Sequence, residues 1–428
     1  MGWATDTAAA AVEAFEGVFG EGVTVAGVAI DETGTAVSLS DGCPVDARFE
    51  IGSVTKTMTA VVLALLAGDG VLGLGDGIGR WLDAGPNGDI TLRELATHTS
   101  GLPRVAPSHR PGMVNPFAYL TADVAEADLR AAVRQPGAGF SYSNFGYQLL
   151  GLVLERAAGK EYPALLEERV FGPLGMTDSG VGPAGDGTPL PGYANGRRVT
   201  RWEQPLPGTG GVETSAGDFA RYLGACLVPP DSSLGAAIRL TQTAAARMNE
   251  HLERGLGWVI RDTTVWHNGG TGGFTTTAGL DRADRRAFAV LLNASAATMS
   301  AVLESALHLA LAGQDPRAAR PRPAGPQWDE RARTLATALI EGRFGDVHTA
   351  LGAPVKAVLS VERIEQAWQQ AIERAGTPSD VSVSCRTAGN HVDAQVSITC
   401  AKAVLSLAVL FAPDGTVAGV RAGTPTPL

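Results

Sequence analysis

Two residues three positions apart could together perform nucleophilic catalysis. Ser53 is followed by Lys56 at the start of an apolar segment that predicts a helix over Ser53–Ala67. On a helix this spacing puts both side chains on one face, one turn apart, so the amine can approach the hydroxyl. A serine hydroxyl is a poor nucleophile without a neighbouring base, and a buried lysine of lowered pKa can be that base or support it.

The alternative interpretation of the same residues is an N-cap serine followed by a surface lysine. Two observations favour catalysis. The apolar residues of this segment cover most of the helix circumference, which indicates a buried helix. We do not expect a lysine on such a helix to be exposed to solvent. Lysine is also scarce, because the chain contains only Lys56, Lys160, Lys356 and Lys402.

A tyrosine and an asparagine two positions apart form a second motif. Tyr142 and Asn144 precede a predicted helix, Tyr147–Ala158, and both side chains could point into a cleft. Beside a lysine ammonium we expect Tyr142 to have a depressed pKa and to shuttle protons. The asparagine could donate a hydrogen bond to a substrate carbonyl. A core tyrosine and a turn asparagine remain the alternative.

A glycine-rich segment, residues 266–273, forms the third motif at the end of a predicted strand. His267 would lie on that strand and face the cleft, and the glycines that follow would let a substrate backbone approach closely or offer an unobstructed N–H. A glycine-rich hairpin loop is the alternative. The spacing matches neither a phosphate-binding loop nor a dinucleotide-binding loop, and the chain has no Gly-x-Ser-x-Gly and no His-Glu-x-x-His.

The order and spacing of the three motifs resemble the active-site signature of the serine β-lactamase and penicillin-binding-protein superfamily. The Tyr-x-Asn and His-x-Gly forms are similar to class C β-lactamases and their relatives, which include esterases, D-Ala-D-Ala carboxypeptidases and transacylases. The resemblance covers about residues 10–312. Further matching segments are FEIGSVTK (49–56), LATHTSGLP (95–103), GPLGMT (172–177), GTGGVETSAGDFARY (208–222) and GLGWV (255–259).

This resemblance implies a role for each motif residue. Ser53 would attack a carbonyl and become acylated, while Lys56 and Tyr142 would share the proton transfers, with the identity of the base left open. Asn144 would hold the acyl side of the substrate. The backbone N–H groups of Ser53 and Gly270 would form the oxyanion hole. The substrate would also contact His267, Gly269, Gly270 and Thr271.

The histidine departs from the lysine that many β-lactamases carry at the position of His267. A neutral histidine gives a substrate carboxylate no fixed positive charge at pH 7, so the departure favours ester or amide substrates over β-lactams. We expect a small-molecule acyl or peptide substrate. The long loop Pro103–Tyr119, with Arg104, His109 and Arg110, is a candidate rim that selects an anionic group, and Trp202 and Tyr193 are further rim candidates.

Composition excludes several other classes of protein. A net charge of −10 argues against a nucleic-acid-binding surface, and no apolar run approaches the ~20 residues that span a bilayer. Residues 1–20 lack the features of an export signal, which predicts a cytoplasmic protein. Four widely spaced cysteines form no Cys-x-x-Cys, so we expect free thiols, no metal site and no cofactor.

The proline- and arginine-rich segment 314–326 divides the 428 residues. We expect a β-lactamase-like α+β domain over 1–313, in which strands from both ends form one antiparallel sheet flanked by helices, with a helical subdomain inserted. Residues 314–326 read as a linker. Residues 327–428 predict a small α+β module that weakly resembles NTF2-like or cystatin-like folds. We expect this module to have a structural or assembly role, such as pairing two copies of the chain.

The motifs leave three functional hypotheses open. The first is a cytoplasmic serine hydrolase that acts on esters or amides through a Ser53 acyl-enzyme. The second is an acyltransferase or peptide-releasing thioesterase that uses the same acyl-enzyme and passes the acyl group to another acceptor. The third is a binding protein that has kept the fold, against which the intact set of Ser53, Lys56, Tyr142 and Asn144 argues.

Overall fold

The computed structural model describes residues 2–110, 115–137, 139–182, 187–194, 196–296, 299–388, 391–422 and 426–427. The chain forms two units. One comprises Met1–Ala296 and Ala306–Ala318, and the other comprises Ala297–Ser305 and Ala319–Leu428. The segment expected to be a linker contains a short 3-10 helix, Pro316–Ala319, and residues 322–324 hydrogen-bond to the strand that contains Cys385. The domain boundaries drawn from the sequence stay a prediction.

Strands from both ends of the first unit meet in one eight-stranded antiparallel sheet of order β2-β1-β13-β12-β11-β10-β9-β8. The strands in chain order are β1 (Val25–Asp31), β2 (Gly34–Leu39), β3 (Arg48–Glu50), β4 (Gly180–Val181), β5 (Gly192–Ala194), β6 (Arg197–Val199), β7 (Val212–Ser215), β8 (Ala246–Arg247), β9 (Glu253–Arg254), β10 (Val259–Arg261), β11 (Thr264–Gly270), β12 (Thr275–Asp281), β13 (Arg286–Leu292) and β14 (Ala294–Ser295). The predicted fold class is therefore confirmed.

The helices of this part of the chain mostly lie in the middle of the sequence, as predicted. They are α1 (Trp3–Phe15), α2 (Thr55–Gly68), α3 (Leu92–Thr97), α4 (Ala122–Ala131), α5 (Asn144–Ala158), α6 (Tyr162–Leu166), α7 (Gly172–Leu174), α8 (Ala216–Leu227), α9 (Ser233–Thr241) and α10 (Met299–Leu311). Sequence patterns did not predict the two small three-stranded sheets, β3-β7-β4 and β14-β5-β6. Their strands have two to four residues, too few to show an alternating pattern.

Helix α2 is buried along its length, as its apolar circumference predicted. Every residue from Thr55 to Leu66 is buried, including three threonines and Lys56. The buried threonine hydroxyls are hydrogen-bonded: that of Thr59, for example, is bonded to Gly208 O and Tyr162 Oη. These bonds satisfy polar groups that burial would otherwise penalise. The helix consequently presents Lys56 from a packed interior and not from the surface.

The second unit combines helices with an antiparallel sheet. Its elements are α11 (Pro326–Ile340), α12 (Phe344–Ala350), α13 (Ala353–Lys356), α14 (Val361–Ala375), β15 (Pro378–Ala388), β16 (His391–Cys400), β17 (Ala403–Phe411), β18 (Val417–Ala422) and β19 (Thr426–Pro427). Residues of β16 alternate between buried and half-buried, and the buried ones pack on the helices. Cys385 pairs with Ala394 of β16, and all four cysteines are free thiols.

One buried amide ties together three parts of the first unit. The Oδ1 of Asn293 accepts a hydrogen bond from Thr24 N at 2.6 Å, and its Nδ2 donates to Pro191 O at 2.8 Å. Asn293 has no solvent exposure. It thus joins the start of the first strand, the inserted middle segment and the end of β13.

We expect Asn293→Ala to lower the free energy of unfolding by ~2 kcal/mol, since it leaves a buried amide and a buried carbonyl without their partners. Urea unfolding of the variant and of a control, Gln135→Ala at an exposed position, measures this. Equal midpoints for the two variants would contradict the structural role given to Asn293.

Candidate active site

Ser53 lies in a tight turn directly before α2. The turn is a 3-10 helix, Gly52–Val54, so the serine precedes the α-helix on which the sequence placed it. Gly52 has φ of +51°, and a Cβ atom on it would lie 2.5 Å from Gly270 N. A Cβ atom on Gly269 would lie 1.9 Å from Ile51 O. Only glycines allow this approach, which brings the end of β11 against the backbone of Ser53.

Lys56 reaches Ser53 from the first turn of α2. Its side chain has no solvent exposure, and Nζ lies 2.9 Å from Ser53 Oγ and 2.8 Å from the carbonyl oxygen of Thr209. Burial lowers the pKa of Lys56 well below its usual value, and the positive charges of Arg254 and Arg104 lower it further. The amine is therefore poised to be uncharged, the form that accepts a proton.

Tyr142 contacts the same serine oxygen. Its hydroxyl lies 2.9 Å from Ser53 Oγ, and Lys56 Nζ lies 5.1 Å from the centre of its ring. The expected depression of its pKa is wrong, because burial raises the pKa of Tyr142 more than Ser53 and the nearby arginines lower it. The phenol consequently keeps its proton and donates a hydrogen bond to Ser53 Oγ.

His98, which the sequence motifs did not single out, fixes the segment that carries Tyr142. It is fully buried in the left-handed conformation, with φ of 59°. Its Nδ1 accepts a hydrogen bond from Ser143 N at 3.1 Å, its carbonyl accepts one from Ser141 N at 2.8 Å, and its ring lies 4.3 Å from that of Tyr142. His98 lies in a segment that carried the family resemblance, LATHTSGLP (95–103), but nothing in that segment indicated this role.

Thr209 links the two halves of the site. Its carbonyl accepts from Lys56, and its hydroxyl donates to Asn144 Oδ1 at 3.1 Å. Because the Asn144 oxygen is occupied, its Nδ2 group is left to face a ligand. Asn144 begins α5, three residues before the predicted start, and Ser143 caps that helix by accepting from Gly146 N. Thr209 lies in a motif that carried the family resemblance, but its spacing from Lys56 gave no hint of contact.

His267 lies on β11 and is 5 % exposed. Its Nδ1 lies 2.6 Å from Asn268 O, and because a carbonyl can only accept, this nitrogen carries the proton of the neutral ring. Burial, and after it the charge of Arg254, lowers the pKa of His267 well below its usual value. The ring is thus uncharged.

Three residues further along this motif differ in their exposure. Gly270 is exposed beside Ser53, whereas Gly269 is buried against the turn before α2. Thr271 is 6 % exposed, and its N–H donates to Phe274 O at 3.0 Å. The backbone of Gly270 is therefore open to a ligand, but the amide of Thr271 is engaged in a turn.

The residues expected at the rim of the cleft lie in different surroundings. The guanidinium of Arg104 lies over the ring of Tyr142, 5.0 Å from its centre. His109 instead packs near Tyr119, and Tyr193 Oη lies next to Gly22. Trp202 packs edge-on against Phe117 beside the glycine-rich end of β11. Residues 111–114 of the expected loop lie outside the described residues.

The described residues contain neither a candidate metal site nor a candidate membrane-spanning helix. No group of three or more His, Cys, Asp or Glu side chains in them is placed to hold a metal ion. None of the helices that the structure describes combines the length and the apolar character needed to cross a membrane.

The chain is similar in sequence to proteins of known kind. The chain is 26 % identical over 347 residues to penicillin-binding protein 4* of Bacillus subtilis (strain 168). This match covers 74 % of this chain and 75 % of the relative. It is 37 % identical over 194 residues to the D-alanyl-D-alanine-carboxypeptidase/endopeptidase AmpH of Escherichia coli (strain K12), over 42 % of this chain. That match spans about half of AmpH, 48 % of its length.

Solved structures show the same fold. A D-alanine carboxypeptidase AmpC from Burkholderia cenocepacia superposes with a TM-score of 0.58 at 24 % identity, covering 72 % of this chain and 97 % of that one. A class C β-lactamase from Rhodobacter sphaeroides gives a TM-score of 0.58 at 21 % identity, covering 68 % and 95 %. The family model described as Beta-lactamase matches residues 7–313. That span contains all the residues that surround Ser53, and the chain belongs to the beta-lactamase family.

Proposed function

We propose that the protein is a serine hydrolase that cleaves ester or amide acyl substrates through an acyl-enzyme at Ser53. One observation carries this proposal. The Ser53 hydroxyl lies 2.9 Å from the Lys56 amine and 2.9 Å from the Tyr142 hydroxyl, in a site where the serine itself is partly exposed. A nucleophile within hydrogen-bonding distance of a base, with the base held by a third group, is the arrangement that activates serine.

In the proposed acylation step Lys56 is the base. The Ser53 hydroxyl gives its proton to the neutral amine as Oγ forms a bond to the substrate carbonyl carbon. Tyr142, which keeps its proton because burial raises its pKa, then donates to the leaving oxygen or nitrogen as that bond breaks. The Lys56 ammonium returns a proton to Tyr142, so both groups end the step in their starting forms.

The negative charge of the tetrahedral intermediate would lie between two backbone amides. The proposal places this oxygen at the N–H groups of Ser53 and Gly270, which the close packing of Gly52 and Gly269 brings to one side of the nucleophile. The Nδ2 group of Asn144 would bind the acyl side of the substrate, because its oxygen is held by Thr209. Water then attacks the ester carbonyl with Lys56 or Tyr142 as the base.

The substrate class is argued from the charge of the site. AmpH is named as a D-alanyl-D-alanine-carboxypeptidase/endopeptidase, and the AmpC structure is named as a D-alanine carboxypeptidase. In this chain His267 is uncharged, so it offers a substrate carboxylate no ion pair, and we propose ester or amide substrates with β-lactams as poor ones.

A cytoplasmic location is part of the proposal and is supported by the four free thiols. Fractionation of the native cells tests it.

We expect Ser53→Ala to abolish covalent labelling by a fluorophosphonate or a penicillin, because the variant lacks the only atom that the mechanism acylates. Intact-protein mass spectrometry measures the adduct. Ser141→Ala, at an exposed serine nearby, is the matched control and should label as the wild type does. An adduct that persists in Ser53→Ala would refute the assignment of the nucleophile.

We expect Lys56→Ala to slow acylation by a chromogenic ester by at least ~10²-fold, the usual cost of losing a general base. The burst phase of p-nitrophenol release measures this rate directly. Lys160→Ala, which removes an exposed lysine, should leave it unchanged. A burst rate in Lys56→Ala equal to that of the wild type would exclude the amine as the base.

We expect water to be the acceptor of the acyl group. A panel of p-nitrophenyl esters, acyl thioesters, nitrocefin and D-Ala-D-Ala peptides, each with and without an added amine, measures how the acyl group partitions. The free acid should predominate at all amine concentrations. A transfer product that dominates at millimolar amine would instead identify an acyltransferase built on the same acyl-enzyme.

A further inference from the structure

Arg254 is a buried positive charge without an acidic partner among the described residues. It lies on β9 and is 1 % exposed, and its Nε and Nη2 atoms have no hydrogen-bonding partner in that part of the chain. No carboxylate there forms an ion pair with it. A buried charge without a counter-charge is costly, so a fold that retains one is expected to use it.

The guanidinium packs into the aromatic cluster that holds the active site. It lies 5.5 Å from the ring of Phe140, which meets His98 edge-on at 5.9 Å, and His98 in turn lies against Tyr142. Three residues after Arg254, Gly257 adopts φ of +82°, and a Cβ atom on it would lie 2.8 Å from Lys56 O. The segment that carries Arg254 is therefore fixed to the first turn of α2.

The surroundings of Lys56 contain positive and neutral groups but no acidic one that the structure places in contact with it. Its Nζ bonds to Ser53 Oγ and to Thr209 O. The titratable or charged groups that face it are Arg254, Arg104, His98, His267, Tyr142 and Tyr147. Both histidines have pKa values well below the usual range, because they are buried beside Arg254. Both tyrosines have raised pKa values and stay protonated.

Lys56 Nζ donates to Thr209 O and to Ser53 Oγ, and Tyr142 Oη also donates to Ser53 Oγ. In acylation the Ser53 proton must pass to a lone pair on Nζ, which only the neutral amine has. An ammonium would have no lone pair for the serine proton. The arrangement thus favours catalysis only while Lys56 is uncharged.

We propose that Arg254 is a positioning residue for acylation, whose buried guanidinium supplies the fixed positive charge that keeps the Lys56 amine unprotonated and able to take the Ser53 proton. This inference rests on the proposed acyl-enzyme function. Arg104 adds charge of the same sign, but it is exposed, so solvent screens its effect. His267 is uncharged, so on this side of the site the fixed charge comes from β9.

The protonation of Lys56 can be observed directly, because the chain has only four lysines. In protein whose lysines carry ¹³C at the ε position, we expect the resonance of the buried Lys56 to titrate well below the usual lysine pKa, whereas the other three lysines are exposed. Lys56→Ala identifies that resonance by its loss. A wild-type Lys56 that titrates with the exposed lysines would overturn the proposal without any change at Arg254.

Neutral variants of Arg254 separate charge from structure. In R254Q and R254M the Lys56 resonance should titrate at least ~1 pH unit higher than in the wild type. R254M is expected to fold, since it replaces an unpaired buried charge with an apolar side chain of similar length. A Lys56 titration that R254Q and R254M leave unmoved would refute the role of the charge.

The pH dependence of activity gives a second readout. In R254Q, kcat/KM for a p-nitrophenyl ester should fall at least ~10-fold near neutral pH and approach the wild-type value in alkali, because the acidic limb of the profile moves upward. A loss of the same factor at every pH would indicate a structural role only. The NMR titration is also made in Ser53→Ala, so the proposal can be judged even if Ser53 proves not to be the nucleophile.

Discussion

The site depends on one constraint, which is that the amine of Lys56 is buried where nothing neutralises a positive charge. A lysine in water would be an ammonium and could not take a proton from serine. Here the amine has only the Thr209 carbonyl and the Ser53 hydroxyl as hydrogen-bonding partners among the described residues. The tyrosine that contacts Ser53 keeps its proton for the same reason, because burial disfavours the phenolate. Burial thus favours the neutral form of both groups that contact Ser53 Oγ, the Lys56 amine and the Tyr142 phenol.

The fold supplies that environment with parts from distant segments. Helix α2 is buried on all sides, so its first turn can carry a lysine that water does not reach. The glycines at the end of β11 let a strand approach the Ser53 backbone more closely than any side chain would permit. His98 holds the tyrosine segment from a third direction. The main chain and aromatic rings therefore position the groups, and no acidic side chain among those described is needed to orient them.

Much of the architecture could be predicted from local patterns. The helices α2 and α5, whose bounds the sequence patterns predicted, begin and end within three residues of those bounds. The sequence patterns did not predict the short strands β3–β9, because strands of two to four residues show no alternation of apolar and polar side chains. The sign of the Tyr142 pKa shift was wrong because the prediction assumed a charged lysine neighbour, whereas burial depth, which local sequence does not give, decided it.

By itself the sequence determined which residues could react. The types and spacing of its motif residues resemble the active-site signature of the serine β-lactamase and penicillin-binding-protein superfamily, and this resemblance implies acyl transfer at a serine. The residues are Ser53, Lys56, Tyr142, Asn144 and His267. Only the tertiary structure decided how those residues are charged and held. Thr209 and Arg254 are 153 and 198 positions beyond Lys56 in the chain, and no local pattern links them to it. Charge and desolvation act through space, so the protonation of the site is a property of packing and not of sequence spacing.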